Sequence, residues 1–157
     1  MMKRKIRVGD SYSTQPMTDA PWISTFIAIA LIPVAILFTH AYISGRKNLP
    51  YHRWTGMIGI LWDLTLSIFY MAYRSFGGEI EGSKLNIEGL MIAYFVIHGI
   101  IAIVVIGLEI TMLITGAYSR RKIEFNALHI KLSPYLYIVW FMAFLSGEAV
   151  YVGYYLL

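Results

Sequence analysis

The chain has 157 residues, 58% of them apolar, a formal net charge of +4 and a mean hydropathy of +0.62. That apolar excess leaves too few polar faces for a soluble domain of this length. The absence of cysteine rules out disulfides, thiolate metal sites and thiol redox chemistry, and no P-loop, dinucleotide fingerprint, zinc-protease helix or serine-hydrolase elbow occurs.

Residues 1–20 read as a polar lead-in, and residues 21–157 as one transmembrane domain. A bilayer core of ~30 Å takes ~20 mostly apolar helical residues to cross. Four stretches reach that length: residues 22–44, 54–73, 89–118 and 134–157. Backbone amides left unpaired in lipid cost several kcal/mol, so spans of this kind are helices. Thr18, Asp19 and Pro21 suit the start of the first helix, and Pro33 should kink it. The short link 45–51 makes the first two helices antiparallel neighbours. Residues 74–88, with three acids and Gly77, Gly78 and Gly82, read as a surface loop. The third link, from Ser119 to about Ser133, has room for a helical extension of the last span. No internal repeat is visible in the letters. The expected fold is all-α: an integral membrane antiparallel four-helix bundle, multi-pass in the cell membrane.

Lys and Arg set the orientation. Face B, which carries the first and third links, holds Arg46, Lys47, Arg53, Arg120, Arg121, Lys122 and Lys131 against Glu124 alone. Face B is therefore expected in the cytoplasm, with both termini on the opposite face A. Basic residues beside spans meet lipid phosphates, so the bilayer is the expected partner and nucleic acid is not.

Ionisable groups within spans usually face the bundle interior and mark function. Every helix supplies at least one among His40, Asp63, His98, Glu109 and Glu148, with His52 and His129 near the face-B boundary. His52 and Asp63 are eleven residues apart, as are His98 and Glu109, so each pair shares a helix face. Counting rise from the span ends puts Asp63 near the midplane and His40 and Glu109 ~10 Å towards face B. Three readings follow. His40, His52, His129 and Glu109 converge on a copper, iron or zinc ion; or two histidines ligate haem iron; or the groups are structural and hydrogen-bonded across helices. The expected site is interior, with His40 and His98 holding haem or a copper or iron ion and His52, Glu109 and His129 as further metal ligands. No catalytic residues are assigned. Trp22 and Trp54 read as interfacial belt residues.

Tyr94, Phe95, His98 and Ala102, the run 128–134 with His129 and Pro134, and Tyr137, Gly147 and Tyr151 carry a resemblance. They resemble a family of small prokaryotic four-helix membrane proteins of unknown function, related to the haem-copper oxidase maturation factor of Gram-positive bacteria. The resemblance covers about 100 residues. The spacing from Tyr137 to Gly147 and the acid at Glu148 depart from its pattern. It implies interior histidines and a role in assembly or operation of a respiratory oxidase, with oxidase subunits as partners. A b-type cytochrome-like electron-transfer subunit and a cofactor-free structural subunit are the alternatives.

Overall fold

The computed structural model describes residues 22–76 and 88–156. It forms four antiparallel helices: α1 (Trp22–Arg46), α2 (His52–Ser75), α3 (Leu90–Tyr118) and α4 (Ile123–Tyr151), the last ending in a short π-helical turn, Val152–Leu156. All four are long and apolar enough to cross a membrane. Their outward faces are rich in exposed isoleucine, leucine and valine, as lipid contact requires. Trp22 and Trp54 are likewise exposed. The lead-in and the glycine-containing loop at 77–87 lie outside the described residues.

Local chemistry explains the face-B turns. The α1–α2 link closes α1 with paired bonds from Leu49 N–H to Ser44 O (3.0 Å) and from Asn48 N–H to Gly45 O (3.1 Å). Asn48 takes the left-handed conformation at φ 53° that this cap needs, and Pro50 follows where the helix cannot continue. Across the bundle, α4 begins at Ile123, well before Pro134, so the third link shortens to four residues, Ser119 to Lys122. The helical extension allowed for in that link is real. Pro134 therefore sits inside α4, where its missing N–H leaves the Ile130 carbonyl without its usual donor. The Ser133 hydroxyl donates to that carbonyl at 3.2 Å and keeps the helix continuous.

α1 packs on α2 and α3 on α4, and α1–α4 and α2–α3 contacts close the ring. The two hairpins share one design. Along α1 the buried positions Val34, Phe38, Ala41 and Ser44 repeat the spacing of Val105, Glu109, Met112 and Thr115 along α3. Gly45 and Gly116 follow next in each. On the second helices, His52, Gly59 and Asp63 stand at the spacing of His129, Leu136 and Trp140. The letters conceal this because only the glycine and the histidine are kept. Burial phase, not residue identity, carries the correspondence.

Candidate functional site

The matching positions meet at two levels of the bundle axis. Near face B, each hairpin seats a histidine on a glycine. A Cβ on Gly45 would lie 2.7 Å from His52 Cε1, and one on Gly116 would lie 3.2 Å from His129 Cε1, so each ring occupies the space a side chain would fill. His52 Nδ1 is 2.7 Å from the Ala41 carbonyl; a carbonyl only accepts, so Nδ1 carries the proton. His129 Nδ1 bonds to Thr115 Oγ1 at 3.1 Å. Thr115 already donates to Thr111 O at 2.8 Å, so His129 Nδ1 is also the donor. Both imidazoles are thereby fixed in the tautomer that leaves the Nε2 lone pair free, the arrangement found behind metal-ligating histidines.

The two rings stand 6.0 Å apart, centre to centre, at 76° to one another. Two imidazoles sharing one metal at ~2.0–2.1 Å per nitrogen have ring centres ~5 Å apart in tetrahedral coordination and ~6 Å apart when opposed across the metal. Both rings line one face-B cavity of about 480 Å³. Its walls include Phe38, Met57, Met112 and Leu136, with Arg53 and Arg120 also lining it.

The other expected ligands go elsewhere. His40 lies one residue off the buried phase of α1; it is exposed and stacks on Tyr51 at 5.1 Å. His98 lies at the opposite end of the bundle, ~27 Å along α3 from Gly116 by helical rise. Its Nδ1 bonds to Ser146 Oγ at 2.7 Å, and it packs on Gly147. His40 and His98 are therefore not brought together. Glu109 is fully buried but joins Asp63 rather than the histidines. Among the described residues no group of three or more His, Asp or Glu is placed to hold a metal. A protein-only site of three or four ligands is absent there, and the paired imidazoles are what the fold assembles.

Mid-bundle, hairpin one contributes Phe38 and Asp63, and hairpin two contributes Glu109 and Trp140. The aromatics stack at 4.5 Å and 20°, while Asp63 pairs with Glu109 and accepts from the Trp140 indole N–H. Trp140 is a site residue that the sequence reading missed; only its phase relation to His129 could have drawn attention to it. Comparison with protein-family models, curated proteins and solved structures finds no match. The assignment of the paired histidines therefore rests on the chain's own geometry.

Proposed function

We propose that the chain is a membrane haem-holding protein in which His52 and His129 would supply the imidazole ligands to the iron. The observation that carries this reading is the pair itself: two imidazoles from separate hairpins, each held at Nδ1, 6.0 Å apart on one cavity. The size of the cavity and its aromatic and aliphatic walls suit a macrocycle, and Arg53 and Arg120 suit its carboxylates. Two protein ligands are also too few for a closed zinc site, which takes four.

The wider role we propose is biogenesis or operation of a respiratory haem-copper oxidase in the cell membrane. Its support is the resemblance carried by Tyr94, His98 and the run 128–134. A b-type electron-transfer subunit is the other role a paired-histidine haem suits. A wire across the bilayer needs ligand pairs at both faces, however, and His98 has no histidine partner among the described residues.

Alanine at His52 or His129 should abolish haem co-purifying from cells supplied with iron, copper and haem. Alanine at His40 should leave it unchanged, because that ring is exposed, stacks on Tyr51 and does not line the cavity. Bound haem surviving both His52→Ala and His129→Ala would remove the reading. Elemental analysis of the same preparations separates a copper-only site from haem.

A further inference from the structure

We propose that Asp63 and Glu109 form a proton-holding pair at the floor of a cavity that opens to face A alone. This inference stands apart from the paired histidines and does not rest on them. Both Glu109 carboxyl oxygens are fully buried, and no N–H or hydroxyl of the described residues reaches them. The polar group beside Glu109 is another acid, Asp63. Two ionised carboxylates accept hydrogen bonds and cannot donate one, so a bond between them requires a proton. Asp63 has the donors: the Trp140 indole N–H and the Ser67 hydroxyl at 3.5 Å. The arrangement fits Glu109 as the protonated donor and Asp63 as the carboxylate.

Asp63 also has a route to one face. A cavity of about 590 Å³ runs from it towards face A. Along α2 its wall carries Asp63, Ser67, Tyr70 and Arg74, which recur at helical spacing as one polar stripe. The other titratable groups on the wall are His98 from α3, Glu148 and Tyr151 from α4, and Tyr155; α1 contributes Ser24 and apolar side chains. Towards face B the chemistry changes. Phe38, Ile60, Met112 and Leu136 are buried and form an apolar floor to the histidine cavity, and the Tyr137 hydroxyl on its wall is engaged by Thr39 at 3.4 Å. The Phe38–Trp140 stack lies between the two cavities, one ring lining each.

The exchange is a single proton. From the face-A cavity, H⁺ binds a carboxylate oxygen of Asp63, taking the pair from one negative charge to none. Release reverses this, and Glu109 keeps its own proton throughout. The pair loads from one face and does not conduct.

Infrared spectra of the purified wild type across the neutral pH range test this directly. Two protonated-carboxyl carbonyl bands are expected, one persisting and one fading as pH rises. Asp63→Asn should remove the fading band and Glu109→Gln the persistent one, while His98→Gln and Glu148→Gln leave both. A wild type with no persistent protonated-carboxyl band overturns the proposal, as does a fading band that survives Asp63→Asn or disappears in Glu148→Gln. The wild-type spectra need no variant to fold, so the proposal stays testable if a substitution disturbs packing. Vesicles containing the protein and an internal pH dye should hold an imposed gradient as well as protein-free vesicles do. Proton flux through the protein would overturn its one-sidedness.

Discussion

Replacing Trp140 with alanine should cost about 3–5 kcal/mol, the range for an aromatic deleted from a packed core. In a bilayer the lipid tails are as apolar as the core, so helices associate through close packing rather than escape from water. Trp140 is 2% exposed and stacks on Phe38 at 4.5 Å and on Phe144 at 5.3 Å, joining α1 to α4. Its indole N–H also serves Asp63, so truncation leaves both a void and an acid short of a donor. Trp140→Phe separates the two losses: it keeps the stack and forfeits the hydrogen bond, for about 1–3 kcal/mol. Resistance to unfolding in a titration with a denaturing detergent measures both. Equal stability of Trp140→Ala and wild type would mean that the aromatic layer does not join the hairpins.

The second large effect is expected at a residue with no chemistry of its own. Gly45→Ala should cost about 10–100-fold in cofactor affinity, the usual penalty for disturbing the group behind a metal ligand. The new methyl would meet His52 Cε1 at 2.7 Å and Nδ1 at 2.8 Å. The ring can swing away at little cost to the fold, but it then leaves the Ala41 carbonyl that fixes its tautomer. Gly116→Ala should be milder, since its methyl would meet His129 Cε1 at 3.2 Å and a few tenths of an ångström of adjustment suffice. Haem titration into the two purified variants provides the comparison. Equal affinities for both variants and wild type would show that the glycine seats do not position the rings.

The spans were readable from the letters because lipid imposes a length and an apolar composition that few soluble sequences meet. Three of the four ran close to their observed bounds. The last was expected from Pro134, a residue that suits a helix start, but α4 begins at Ile123; inside it the Ser133 hydroxyl bonds to the carbonyl that Pro134 leaves free, a bond that composition does not reveal. The site was legible only in part. The eleven-residue spacing correctly put His52 with Asp63, and His98 with Glu109, on inward faces. It said nothing of how the four faces are phased against one another, and that phasing decides the partners. Rise counting set Asp63 and Glu109 at different depths, whereas their contact puts them at one level. His40 was separable in principle, since Val34, Phe38, Ala41 and Ser44 define the buried phase of α1 and His40 falls outside it. The likeness of the two hairpins stayed hidden because aromatic answers acid across them: Phe38 stands where Glu109 does, and Asp63 where Trp140 does.

The proposed haem site has its most direct test in the electron paramagnetic resonance spectrum of the oxidised wild type, purified without chelator from cells supplied with iron, copper and haem. The account predicts a low-spin ferric haem signal, one iron per chain, of the kind that two histidine ligands would give. A preparation with no haem iron, or with a high-spin signal from a single histidine, would contradict it.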